Sequence, residues 1–316
     1  MPDFTRIDED RGRFVGLAGV LLAVFVFVLI ARNSDWSAFV KFLIFGVTGA
    51  AVIAPAYLIP QREGPPPGWL SALLVAGFAL TAGFWVSLAD LLGANTDDLA
   101  SSTVTWISIL LAAEFAFLSL RRDSAVCTLL AAGAAVVAVL AFIDWVFSPD
   151  GPSTFRYVAI VEGLVLVAAG VALYRERGRH AVVLTVLSGI VILAMALSFG
   201  GALFIETPFS DGGPEGVGWG WELVVLLFAV GLTAFAAMSR EPGPGYAAAA
   251  LFIAFVAITT VGEDGFIGWP LILLLATGGA IAAFLMGPDR PGPAATTATT
   301  TTPATPTAET TRETRL

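Results

Sequence analysis

The chain has 316 residues, 57% hydrophobic and only 13% charged, with a mean hydropathy of +0.86. Soluble domains carry nearer a quarter charged residues, so this composition predicts an all-α polytopic membrane protein rather than a water-soluble fold. One cysteine, Cys127, and one histidine, His180, exclude a disulfide framework and are too few for a zinc, copper or haem site.

In chain order, residues 1–13 read as a cytoplasmic N-terminal segment. Arg11 and Arg13 precede the apolar run 14–31, which is longer than a signal-peptide core and lacks a cleavage site, so it reads as a retained first span. Nine further apolar runs follow at about 37–59, 69–93, 100–120, 125–147, 155–174, 181–204, 219–239, 245–262 and 266–286. Each is long enough to cross a hydrocarbon core of roughly 30 Å at about 1.5 Å per residue. The expectation is a ten-helix transmembrane domain over 14–286. The tail, 287–316, is Thr/Pro/Ala-rich and predicts disorder.

Basic residues orient these spans. Thirteen of the sixteen fall on one side under a single alternating topology, and only Arg32, Lys41 and Arg156 fall on the other. The positive-inside rule then places both termini in the cytoplasm, in the cell membrane, with the lipid bilayer as the primary partner. The opposite side is acidic and carries seven of the eight tryptophans, as an interfacial belt does. The net charge of −9, with a single lysine against fifteen arginines, matches the composition of halophilic archaeal proteins, and a GC-rich genome gives the same arginine bias.

The stretch from Arg121 to Arg179 shows the plan best: two apolar runs joined by Ser148-Pro149-Asp150-Gly151-Pro152, basic at the open end and acidic at the turn. Arg62-Glu63, Arg122-Asp123, Arg175-Glu176 and Arg240-Glu241 recur at the basic end, with Asp289-Arg290 closing the set. The period is read either as topology alone, since every inner loop needs arginine, or as duplication of a hairpin. An inverted five-plus-five repeat finds no matching residues between the halves.

Ionisable residues inside the hydrocarbon are costly and default to functional candidates. Asp90, Asp144, Glu222 and Arg156 sit within about a turn of a boundary, and Asp144 is expected to pair with Arg156 across the 148–152 turn. Glu114 and Glu162 lie deeper, about 10 Å from the nearer boundary. Depth matching offers Ser188 as a hydrogen-bond partner for Glu114 and Thr259 for Glu162. A carboxyl at that depth is expected to be neutral unless a partner or a water column stabilises its charge. Neither helix carries a polar stripe beside its glutamate, so each acid reads either as hydrogen-bonding glue between helices or as a transport group.

No nucleotide-binding, zinc-protease or serine-hydrolase motif occurs, and no lysine lies deep in a span to hold retinal. The sequence therefore predicts no enzyme, no cofactor, no metal and no nucleic-acid partner. Two readings stand. One is a small-solute or ion permease, proton-coupled through Glu162 and Glu114. The other is a non-catalytic scaffold or accessory subunit, associated with other membrane proteins, whose buried acids are structural. A water-accessible cavity reaching either glutamate separates them.

Overall fold

The computed structural model describes residues 9–58, 66–95, 99–149, 151–199 and 218–260. Among these there are nine α-helices and no strand: α1 Glu9–Arg32, α2 Ala38–Leu58, α3 Gly68–Leu91, α4 Ser101–Arg122, α5 Ala125–Phe147, α6 Pro152–Leu173, α7 Gly178–Leu197, α8 Trp219–Ser239 and α9 Pro242–Thr260. All nine are long and apolar enough to cross a membrane. The tenth expected span, 266–286, and the Thr/Pro-rich tail lie outside the described residues.

The helix ends follow local chemistry. Pro152 opens α6, where its missing N–H and fixed φ suit the first turn. α4 stops at Asp123, which takes the left-handed conformation (φ 48°, ψ 42°), and α8 stops the same way at Arg240 (φ 58°, ψ 20°). Ser124 then caps α5, its hydroxyl accepting from the Cys127 backbone N–H at 3.4 Å. Pro55 sits inside α2, which nevertheless runs unbroken to Leu58.

Large apolar side chains remain exposed along the helices, including Phe14, Leu21, Phe117, Leu120, Val161 and Leu164. That is the expected outer surface of a bundle whose solvent is lipid. The interior of the first five helices is built from Phe45, Leu74, Leu80, Phe115, Leu118 and Cys127, each at most 5% exposed.

The closest helix pairs are α2 with α3, α4 with α5, α6 with α7 and α8 with α9. These pairs are joined at the arginine-bearing turns. The α5–α6 pair, where the sequence pattern is clearest, touches little. The reason lies in the faces. The small buried residues of α5, Cys127, Ala131, Ala134 and Ala138, repeat with helical period on one stripe, and the Ser119, Ser101 and Asp144 contacts below tie α5 to α4. α6 presents Ala159, Gly163, Leu166 and Gly170, and its glycines meet α7.

The contacts repeat with a period of four helices. α1 touches α2 and α3, α2 touches α3, α3 touches α4 and α5, and α4 touches α5. Raising each number by four reproduces the remaining principal contacts, with α5 standing in the place of α1. α3 and α7 are the two hubs. Residues match as well. The position a side chain would occupy at Gly49 lies against Leu80, and that at Gly163, 114 residues on, lies against Ile192, 112 residues beyond Leu80. Gly12 lies against Trp69, and the later counterparts Thr128 and His180 are in contact too. Because four is even, both units run in the same direction. The repeat among the described helices is thus two hairpins long and parallel, neither one hairpin nor an inverted five.

Candidate functional site

The two deep glutamates occupy different settings. α2 and α4 both pack on α3, which leaves a cleft over α3 between them. It is an open cleft of about 360 Å³. α2 contributes the small residues Gly46, Gly49, Ala50 and Ala54 to its lining. The remaining wall is Ile53 and a set of aromatic and polar residues: Phe45, Tyr57, Thr81, Phe84, Trp85 and Glu114. Glu114 is half-buried and is the one charged residue in this lining.

The aromatic wall is held in place from behind. Phe84 packs on Phe42 at 4.6 Å between ring centroids and meets Trp85 edge-on at 5.1 Å; Trp85 meets Trp106 edge-on at 6.2 Å. The Trp85 indole nitrogen is buried and has no hydrogen-bond partner. Buried donors are rarely left so. Towards the arginine end, Tyr57 lies beneath Arg121, whose guanidinium carbon is 5.6 Å from the ring centroid. Arg122 turns inward, is buried, and donates through Nε to the Ala56 carbonyl of α2. Pro60, four positions on, has no N–H to offer that carbonyl.

Glu162 is buried on α6, and neither of its carboxyl oxygens has a hydrogen-bond partner. Its neighbours on the same buried face are Ala159, Gly163 and Leu166. An unpaired charge in such a place is costly. Thr259 does not serve it. Its hydroxyl donates within α9, to Phe255 and Val256 carbonyls at 3.0 Å each. Register explains this: Gly163 is level with Ile192, and Gly189 with Ala247, which sets Thr259 about 12 Å beyond the level of Glu162. Ser188 likewise donates within α7, to Thr185 at 2.8 Å, while Glu114 looks into a cleft formed by α2, α3 and α4.

Asp144 and Arg156 also find partners other than each other. Asp144 accepts from the Ser101 hydroxyl and ties the far ends of α4 and α5. Arg156 donates to the Ser198 hydroxyl (Nε, 3.1 Å) and carbonyl (Nη2, 3.0 Å) and stacks 4.0 Å over the Phe199 ring, tying α6 to the end of α7. Each closes its own tight pair, as expected once α5 and α6 belong to different pairs.

A chain of polar side chains at the arginine end went unread in the sequence. The Ser119 hydroxyl lies 2.6 Å from the Thr128 hydroxyl, Thr128 lies 2.5 Å from His180 Nδ1, and His180 Nε2 lies 3.0 Å from Asp123 Oδ1. A neutral imidazole satisfies this run if Nε2–H donates to Asp123 and Nδ1 accepts from Thr128. The histidine is buried, while the Asp123 side chain is 68% exposed. Its visible role is to bolt the α4–α5 turn to α7. Among the described residues no group of three or more His, Cys, Asp or Glu could hold a metal ion.

A second groove lies in the equivalent place of the second unit, over α7 between α6 and α8, enclosing about 470 Å³. Its lining, which includes Leu164, Val171, Leu227 and Phe235, is apolar apart from Thr185, and it contains no acid. No protein-family model matches the sequence, and no curated protein or solved structure matches the chain.

Proposed function

We propose that this multi-pass membrane protein is a proton-coupled permease for a small solute, and that Glu114 is the acid that exchanges protons with it. The observation that supports this is the cleft between α2 and α4, which reaches Glu114 and is within the size range of small-molecule sites. In this reading Glu114 holds a proton when the cleft lacks substrate and gives it up when substrate binds, or the reverse for symport. Lipid encloses the bundle, both termini face the cytoplasm, the membrane is the cell membrane, and no enzymatic step is involved. Glu162, sealed and unpartnered, takes no part in the exchange.

A second reading is an accessory or scaffold subunit, and the sealed state of Glu162 favours it in that one of the two deep acids is out of reach of any solute. The test is proteoliposomes loaded with a pH-sensitive dye and challenged with a panel of small amines, amino acids, carboxylates and sugars. The expected result is solute-driven proton movement that Glu114→Gln abolishes and Glu162→Gln retains. If no solute moves protons in a Glu114-dependent way, the accessory reading takes its place.

A further inference from the structure

The lining of the Glu114 cleft narrows the substrate class. A carboxylate in a membrane-embedded site needs a cation, and the rest of this wall is chosen as a cation would choose it. Phe45, Phe84 and Trp85, with Tyr57 whose ring already carries Arg121 on one face, line an open cleft in which Glu114 is the one acid and no arginine or lysine is in the lining. Aromatic faces attract a positive charge electrostatically, most strongly when the site is out of water, and quaternary ammonium groups are the ligands such cages hold best. A small inorganic cation would instead require several oxygen ligands, and this lining offers Glu114, Thr81 and Tyr57 as its side-chain oxygens. The ionised carboxylate favours a cation over a neutral solute or an anion. The equivalent groove between α6 and α8 serves as an internal contrast: in the same place of the repeat it has comparable space, no acid and no tryptophan in its lining.

We infer that the cleft over α3 binds a small organic cation, held by the Glu114 carboxylate against the aromatic wall of Phe45, Phe84 and Trp85. The inference rests on the permease reading in treating this cleft as the substrate site. The exchange balances simply. The Glu114 carboxyl O–H bond breaks, its proton passes to water, and a monovalent cation takes its place beside the carboxylate. One proton leaves for each cation bound, and the charge in the cleft is unchanged.

The test uses the full-length protein in lipid nanodiscs and benzyltrimethylammonium as the probe, followed by calorimetry and by tryptophan fluorescence. Proton release is read in weakly buffered solution. Neopentylbenzene, which puts carbon where the probe has nitrogen, is the competitor. The expected result is saturable binding with about one proton released, and no displacement by equimolar competitor. Glu114→Gln and Trp85→Leu should each weaken binding about tenfold or more, the scale of a lost charge or cation–π contact. Trp85→Phe should recover most of the loss, and Glu162→Gln, outside the cleft, should bind as wild type does. Absence of binding, displacement by the uncharged analogue, or unaltered binding in folded Glu114→Gln would each overturn the inference. Glu114-dependent proton movement driven by an uncharged or anionic solute would overturn it too, yet would leave the permease reading standing.

Discussion

At the scale of single residues, the protein distributes its buried polar groups unevenly. His180 has both ring nitrogens occupied, whereas Glu162 has neither carboxyl oxygen occupied. Opposite mutational outcomes follow. Replacing Glu162 with Leu removes an unsatisfied polar group without opening a large void, so thermal unfolding of the purified protein should show no loss and a gain of up to about 1–2 kcal/mol. A loss of that size would mean that the carboxyl has a hydrogen-bond partner after all. His180→Ala should cost about 2 kcal/mol or more, because it vacates a packed site and strips Thr128 of its acceptor. The same melting experiment reads it, and a melting temperature equal to wild type would show that the bolt holds nothing. The acids themselves were legible in the sequence, since depth along a helix is counted from residue number. Their partners were not. Depth says nothing of the direction in which a side chain points around the helix, and Ser188 and Thr259 spend their hydroxyls on their own helices' carbonyls.

At the scale of elements, close contact is set by small residues. The position a side chain would occupy at Gly170 lies 2.8 Å from Thr185 Cγ2 and 3.1 Å from the Ala181 carbonyl oxygen, whereas at Gly133 nothing lies within 4 Å. Gly170→Ala should push α6 off α7 and cost about 1–3 kcal/mol, while Gly133→Ala should be neutral or slightly stabilising. Parallel melts of the two variants compare them directly, and equal behaviour would contradict the packing described. Helix positions were readable because a bilayer demands runs of about twenty apolar residues. Only the ends moved: α1 begins at Glu9 rather than near 14, and α6 at Pro152 rather than near 155. Pairing was not readable, since the turns at 123–124 and 148–151 are both short enough to make a tight hairpin. The choice went to the faces that carry small side chains and the Ser119–Thr128 and Ser101–Asp144 contacts.

At the scale of the whole molecule, the alternating arginines make a topological prediction that the helix bundle alone does not test. A cysteine introduced at Asp211, with the native and fully buried Cys127 replaced by Ser, should react with a membrane-impermeant maleimide added outside intact cells. Labelling only after the membrane is opened would reverse the assigned orientation. The Arg-acid pairs noted at the basic turns also gain a physical origin at this scale. Arg122-Asp123 and Arg240-Glu241 occupy equivalent turns of the two four-helix units, each with its first or second residue in the left-handed conformation. The sequence displayed the period but not its length, because every turn at that end attracts arginine whether or not it belongs to a repeat.

The place of α5 has a consequence for how such a chain is made. It completes the first unit by packing on α3 and α4, and it also opens the second by packing on α7, with a slight contact to α6. During synthesis, the first unit therefore cannot finish assembling until the opening helix of the next has entered the membrane. A tandem copy of an even number of helices also re-enters with its arginines already on the correct side, so an ancestor doubled in this way would insert without any change to its charge pattern. A chain cut at the 123–124 turn would strand one hub: α3 would lose its covalent link to α5, while α7 keeps α5 on its own fragment. The N-terminal fragment expressed with a C-terminal piece that begins at α5 should regain a folded bundle, and with a piece that begins at α6 it should not, the shared helix acting as the splice between two nascent halves.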